Sequence, residues 1–226
     1  QAIAFLMDRN DFVQNFAGGY AVVTNGMYGS SQWLYKERGA DIEAKLTNYT
    51  LNVDEANKRL DKTPYKFEKD GKTPWDAKKA AEEYKNNAEK FDYYRYDENG
   101  NKLQVNQFGA KESEITTLLS NQLPDNAKQA GLEYNVQAGD FNTLLNYMRN
   151  PKEGDKAEYT AFNMGLEFGT PFDPFYQYNS KGNDNTTKTN DPQADKITEE
   201  LRRTKPGDKE TYLNKWEEFQ KWYNKS

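Results

Sequence analysis

Residues 131–178 read GLEYNVQAGDFNTLLNYMRNPKEGDKAEYTAFNMGLEFGTPFDPFYQY. Leu132, Tyr134 and Val136 alternate with Glu133, Asn135 and Gln137, the period of two expected of a half-buried strand over 132–137. Asp140 follows as a helix N-cap, since its carboxylate can accept from the free amides of a first turn. Phe141, Leu144, Leu145 and Met148 then recur at helical spacing, and Asn150-Pro151 ends the helix. Residues 159–166, rich in apolar and aromatic side chains, predict a second strand. Strand, helix and strand in succession predict two parallel, neighbouring strands joined by a right-handed crossover. The second strand runs into Gly169-Thr170-Pro171-Phe172-Asp173-Pro174, then Phe175, Tyr176 and Tyr178. Ligands of open α/β sheets sit off the carboxyl ends of the strands. This bent aromatic loop is therefore the first candidate for a site.

Composition narrows the chemistry. Hydrophobic residues are 35% of the 226 and the mean hydropathy is -1.15, so one large or two small domains must carry a broad polar surface. There are 16 Tyr, a side chain that suits either a core boundary or a surface that grips ligands. The formal charge is -5, and no Lys/Arg stripe is interleaved with aromatics, which argues against nucleic acid. The chain has no Cys and no His. That removes thiol nucleophiles, disulfides, imidazole bases and most transition-metal sites, and no cofactor is expected. Absence of Cys fits an exported bacterial protein. No apolar run reaches membrane-spanning length and no signal peptide is visible. The chain opens within a helical pattern, Gln1-Ala2-Ile3-Ala4-Phe5-Leu6-Met7, which reads as a fragment of a longer protein.

Along the chain, residues 1–7 predict a short apolar helix. Asp8 caps a second helix over 9–17, buried on Phe12, Val13 and Phe16 and ended by Gly18-Gly19. Residues 20–35 read as a long loop carrying Val22, Val23, Met27 and Trp33. A helix over 53–60 begins at Asn52 or Asp54. A charged turn region around Asp70-Gly71 leads to a helix over 75–90, with Thr73 as cap and Pro74 at its start. Asn99-Gly100 predicts a hairpin between 91–96 and 102–108. The pentad around it lacks the acidic spacing and closing Glu of an EF-hand loop, so no metal is assigned. A helix over 112–129 uses Ile115, Leu118, Leu119 and Leu123, with Pro124 kinking or splitting it. Residues 179–190 form a polar surface loop. Pro192 opens a helix to 203 on Ile197 and Leu201. The last helix, to about 224, buries Tyr212, Leu213, Trp216, Phe219 and Trp222 or Tyr223.

Three stretches carry a resemblance to a known family. Gln1-Ala2-Ile3-Ala4-Phe5-Leu6-Met7-Asp8-Arg9-Asn10-Asp11-Phe12-Val13 is similar to an RQAI-x-x-x-x-DR helix pair. Asn126-Ala127-Lys128-Gln129-Ala130-Gly131-Leu132-Glu133-Tyr134-Asn135-Val136 is similar to an L-K-x-x-G-I-x-V-x-L element. Asn190-Asp191-Pro192-Gln193-Ala194-Asp195-Lys196-Ile197, with Tyr212, Trp216 and Phe219 beyond it, is similar to a Y-x-D-P-E-x-D-x-L run and the helix that follows it. In this order they resemble the peptide-binding family (family 5) of bacterial extracellular solute-binding proteins, the oligopeptide receptors of ABC importers. The resemblance implies an α/β fold, one lobe of a type II periplasmic-binding-protein architecture with a mixed sheet flanked by helices. It places all of 1–226 in a single peptide-binding lobe, the second of two.

The same resemblance implies a monomeric, non-enzymatic receptor for oligopeptides. Its partner is the membrane permease of an ABC importer, and a lipoprotein anchor outside this stretch holds it at the extracellular face of the cell membrane. Family members pair the peptide's amine with an Asp in a W-x-x-D-Y-like motif after the strand placed at 159–166. Here the matching stretch, Phe162-Asn163-Met164-Gly165-Leu166-Glu167-Phe168-Gly169-Thr170-Pro171, has no Asp. Either Glu167 takes its place or the amine is left unanchored. The ligand wall is expected at Phe162, Asn163, Met164, Glu167, Phe168 and Phe175, with Tyr20, Met27 and Tyr28 from the early loop. Two alternatives remain on the same residues: a peptide-pheromone receptor or adhesin on this fold, or a hydrolase using Glu167 and Asp173 as paired carboxylates. Against the second, Asp173-Pro174 is an ordinary turn.

Overall fold

The computed structural model describes residues 1–149 and 157–226. A 3-10 turn, Ile3–Leu6, precedes α1 (Arg9–Asp11), which continues as a π-helical turn, Phe12–Phe16. Then follow α2 (Trp33–Glu43), α3 (Val53–Leu60), α4 (Ala77–Asn87), β1 (Gln104–Ala110), α5 (Glu114–Lys128), β2 (Glu133–Gly139) and α6 (Phe141–Arg149). The chain closes with β3 (Ala161–Phe162), α7 (Phe175–Tyr178), α8 (Pro192–Arg202) and α9 (Lys209–Lys225). It divides into two compact units, Gln1–Ala21 with Tyr49–Met164, and Val22–Asn48 with Gly165–Ser226. No helix among the described residues is long and apolar enough to cross a membrane.

The first unit holds a sheet of order β2-β1-β3. β1 pairs parallel with β2 from Gln104 opposite Glu133 to Ala110 opposite Gly139, and with β3 at Ala161 and Phe162. The α/β class is as expected, but two details differ. β2 and β3 are parallel yet not neighbours, because β1 lies between them. Among the described residues antiparallel pairing is confined to isolated bridges, Phe67 with Pro74 and Tyr96, and Tyr96 with Lys102. The Asn99-Gly100 turn forms, with Gly100 at φ 77 and Asp97 accepting from the Asn99 and Asn101 amides. Its hairpin ends after one bridge, and β1 is free to enter the parallel sheet.

Successive β1 side chains face opposite ways. Phe108 meets Tyr147 of α6 and Tyr159, with ring centroids 5.1 and 5.0 Å away. Gln107 belongs to the other face, with Tyr134 of β2 and Thr116 of α5. On α5, Leu119, Leu123 and Ala127 join Phe5, Leu6, Ala56, Leu60 and Leu132 in the main core. Pro124 does not split this helix, which runs from Glu114 to Lys128 with the proline inside. Asp140 holds the Thr143 amide at 3.0 Å, as its place before α6 predicts. The expected stop at Asn150-Pro151 lies outside the described residues. Asp8 caps α1 as predicted, but Phe16 is exposed rather than buried, because the π turn rotates it off the apolar face. Thr73 does not cap α4: Asp70 takes its amide at 2.8 Å, and Asp76, three residues later, caps the helix. Trp75 thereby drops into an aromatic cluster with Phe91, Tyr93, Tyr94 and Tyr96.

The second unit packs α2, α8 and α9 around Leu34, Ile42, Ile197, Leu201, Leu213, Trp216 and Phe219. Asp191 caps α8 and Asp208 caps α9. Helix α2 begins inside the stretch 20–35 whose pattern reads as a loop. Its buried face is Leu34, Gly39 and Ile42, too thin an apolar stripe to register, with a glycine that costs about 1 kcal/mol of helix propensity. Packing against α9 supplies what propensity does not.

Candidate functional site

In the first unit a polar network, buried at Tyr134 and Gln107, crosses the sheet and ends just past β3 at Asn163. Tyr134 donates to Gln107 Oε1 at 2.7 Å, Gln107 Nε2 to Asn163 Oδ1 at 2.9 Å, and Asn163 Nδ2 to Thr116 Oγ1 at 3.0 Å. Burial pushes the Tyr134 hydroxyl up to about 12, so it stays a donor at neutral pH. The network explains why β3 stops at Phe162. Asn163 turns its amide to Gln107 and Thr116, beside Gly109, where a Cβ would come within 2.5 Å of Thr116 and 2.6 Å of Asn163. Asn163 is thus engaged by the protein itself. Phe162 is half-buried, Met164 is exposed, and Tyr20 is 98% exposed, the most solvated of the expected wall residues.

In the second unit, a cleft of about 200 Å³ is lined by Glu167, Phe168, Phe172, Asp173, Tyr176 and Asp184, with Met27 among the others. Several bonds fix its wall. Asp173 accepts from the Phe175 amide at 3.1 Å and binds Arg202 of α8 through Nε at 2.9 Å and Nη2 at 2.8 Å. The Arg202 guanidinium lies 4.0 Å from the Phe175 ring centre and 4.4 Å from that of Tyr176. Tyr212 of α9 donates to the Phe172 carbonyl at 2.6 Å. Burial, with Asp173 nearby, pushes that hydroxyl up to about 12, so the bond is proton-stable. Phe175 therefore packs under Arg202, and Glu167 and Phe168 line the cleft.

Met27 and Tyr28, expected on the ligand wall, are 6% and 2% exposed. Gln220 clamps Met27, taking its amide at 2.7 Å and donating to its carbonyl at 3.1 Å. Tyr28 lies against Tyr35 and Trp216 and donates to Glu43. Burial and then Glu43 push its hydroxyl up. Met27 still borders the cleft, but Tyr28 is core. Among the cleft residues, Asp184 was hidden in a polar run read as plain surface loop. The repeated Asn and Thr of that run are the available signal: Asn185 donates to the Asn179 and Thr189 carbonyls at 3.1 and 2.7 Å and so shapes the loop. Arg202 holds both oxygens of Asp173, the other carboxylate of the Glu167 pair.

Solved structures match the whole chain in shape. AppA from Bacillus subtilis, in complex with a nonapeptide, matches at TM-score 0.73 and 17% identity over 99% of this chain and 38% of its own. The chain has the fold of oligopeptide-binding ABC-transporter proteins. Lactococcal OppA, complexed with an endogenous peptide in the closed conformation, matches this solute-binding fold at TM-score 0.71 and 14% identity, over 99% of this chain and 37% of that one. NikZ from Campylobacter jejuni, in complex with Ni(L-His), matches at 0.67 and 16%, over 99% and 38%. This chain thus spans less than two-fifths of the solute-binding structures it resembles. No family model matches it, and no curated protein matches it in sequence.

Proposed function

We propose that this chain is one ligand-gripping lobe of an oligopeptide receptor that serves an ABC importer and catalyses nothing. The observation that carries the reading is the match of 99% of the chain to AppA, solved in complex with a nonapeptide. The solute-binding role is common to the structural neighbours; peptide as the ligand rests on AppA and OppA. The ligand-facing residues under this reading are Glu167, Phe168 and Phe175 with the border of Met27 in the second unit, and Tyr20, Phe162 and Met164 in the first. Aromatic and Met side chains give adaptable apolar contact without dictating a sequence, as a receptor for varied peptides needs. Glu167 takes the peptide's amine. A permease partner, a monomeric state and a lipid anchor at the extracellular face follow from the same family resemblance.

The test uses the complete receptor and a pair of peptides, one with a free amine and one N-acetylated, measured by calorimetry. Glu167→Gln is expected to weaken the free peptide by about 1.5–3 kcal/mol, the worth of a hydrogen bond to a charged group, and to leave the acetylated one nearly unchanged. Equal effects on both peptides would remove Glu167 from the site. Failure of any peptide to bind would end the peptide reading.

A further inference from the structure

β3 has little backbone support. It pairs with β1 at Ala161 and Phe162 alone, whereas β2 pairs along its full length. A strand so short has a weakly specified register, and a slip of one residue would carry each side chain to the opposite face. Side chains of β1 supply what the ladder lacks. Before β3, Asn106 Nδ2 donates to the Glu158 carbonyl at 3.1 Å, and the Asn106 carbonyl accepts from the Thr160 amide at 2.9 Å. Just past β3, Gln107 Nε2 donates to Asn163 Oδ1 at 2.9 Å. Residues 164–171 make no backbone–backbone hydrogen bond among the described residues. Asn163 is thus the last point at which the sheet holds this run.

The hold at Asn163 is specific. Gln107 is buried and its Oε1 is already taken by the Tyr134 hydroxyl at 2.7 Å, so its Nε2 is left for Asn163. Asn163 Nδ2 in turn reaches Thr116 Oγ1, also buried, at 3.0 Å. A slip of β3 by one residue would set Phe162 or Met164 against Gln107 and leave a buried donor unsatisfied. Gly109 keeps the space for the amide open, since a Cβ there would lie 2.6 Å from Asn163 Oδ1. Alternation along an extended chain then decides direction. With Asn163 on the face of Gln107, Phe162 and Met164 are turned to the other.

We infer that Gln107 is a positioning residue for the ligand wall: by holding Asn163 it locks the register of β3 and so sets where Phe162 and Met164 stand. It acts through Asn163 rather than by touching the ligand. The link to a ligand rests on the peptide-receptor reading; the register lock does not. Three variants test both: Gln107→Met, Asn163→Leu and the two together. Each single change sets an amide against an apolar side chain, whereas the double sets two apolar side chains of matching size together and restores the fit. In the first arm, cross-strand nuclear Overhauser contacts between Phe108 and Phe162 are recorded on this chain. They are expected to be lost or displaced in each single variant and to return in the double. In the second arm, the complete receptor is titrated with the free-amine peptide that tests Glu167. The single variants are expected to bind it roughly tenfold more weakly, the scale of one misplaced Phe or Met contact, and the double to recover most of the loss. Thr116→Val, which removes only the acceptor of Asn163 Nδ2, is the milder variant should a single change prevent folding, and should act in the same direction. A merely stabilising role would lower the urea midpoint of the single variants and leave contacts and affinity unchanged, which overturns the inference. Displaced contacts with unchanged affinity overturn the positioning role and spare the peptide reading. Contacts that return in the double without recovery of binding overturn it too, since Asn163 would then touch the ligand itself. A wild-type receptor that ignores the peptide ends the peptide reading, and the first arm still decides the register lock.

Discussion

Arg95→Met should destabilise the first unit by about 3 kcal/mol. Arg95 is 0% exposed. Its Nε donates to the Ala130 carbonyl at 2.9 Å, Nη2 to Asn57 Oδ1 at 3.1 Å and Nη1 to Asp61 at 2.8 Å, and its guanidinium stacks 3.9 Å from the Trp75 ring centre. Methionine fills the stem's volume but donates nothing. Asp61 is 59% exposed and regains water on losing its partner, so that ion pair counts for little. The Ala130 carbonyl and the buried Asn57 are left without their donor, at about 1–3 kcal/mol each, and the stacking adds about 1–2 kcal/mol. Relief of the desolvation that already lowers the guanidinium's pKa offsets part of this. Gly131 limits relaxation: at φ 68 it sits 2.7 Å, measured from an added Cβ, from the Arg95 stem. Urea unfolding followed by far-UV circular dichroism gives the free energy. Hydrogen exchange at the Tyr96 and Leu103 amides, which bond Phe67 and Arg95 carbonyls, localises it. Arg95→Lys, which keeps charge but not the fork, should fall between. If Arg95→Met matches the wild type within about 0.5 kcal/mol, the scatter expected of surface changes, the guanidinium is not what organises this unit.

Two further outcomes follow from buried polar groups, and a third from a glycine. Glu217 of α9, 7% exposed, meets Arg38 and Lys45 at 2.9 Å each; burial raises its pKa, but the Lys45 bond and neighbouring cations win and hold it below the ordinary value. Stability from Glu217 is therefore present above the unfolded glutamate value of about 4.3 and lost as pH falls through the lower folded value, so acid titration of the melting temperature should fall less steeply in Glu217→Gln. Asn179→Ala should cost the second unit about 2 kcal/mol in urea unfolding, because Asn179 is fully buried and bonds Thr198 at 3.0 Å and the Asp195 carbonyl at 3.2 Å. Gly182→Ala should lower the urea midpoint of the second unit, because an added Cβ would collide with the Phe175 and Tyr176 carbonyls; an unchanged midpoint would mean that the loop does not need its closeness to α7.

The elements around the sheet were legible where local pattern and tertiary need agree. β2 alternates, α6 has a cap and a stripe, and α8 starts at Asp191-Pro192. The arrangement was less legible because β1 looks wrong for its place. A central parallel strand usually reads as a continuous apolar run, whereas β1 is Gln-Val-Asn-Gln-Phe-Gly-Ala. Its buried Gln107 is satisfied by Tyr134 of β2 and by Asn163 just past β3, so a polar network across the three strands does part of the work hydrophobic burial usually does. A side chain's partners at a separation of 27 or 56 residues leave no periodic trace. The same network ends β3 early, which pattern alone extends to residue 166.

The site divides along the same physical line. That Glu167 and Phe168 line a cleft was reachable, because the carboxyl-end rule needs only strand order along the chain. Met27 and Tyr28 were misplaced toward solvent because their burial depends on Gln220, 193 residues from Met27, and on Glu43 of a helix that the sequence pattern does not reveal. Asp184 failed for the opposite reason. Asn, Asp, Gly and Thr in succession satisfy every rule for a solvated turn, and the loop does obey them, with Asn185 bonding back to it. What those rules omit is that a turn so braced can be packed against the rest of its unit. A polar loop drawn onto α7 through Gly182 then joins Glu167 and Phe168 at one cleft, and no local pattern records that meeting.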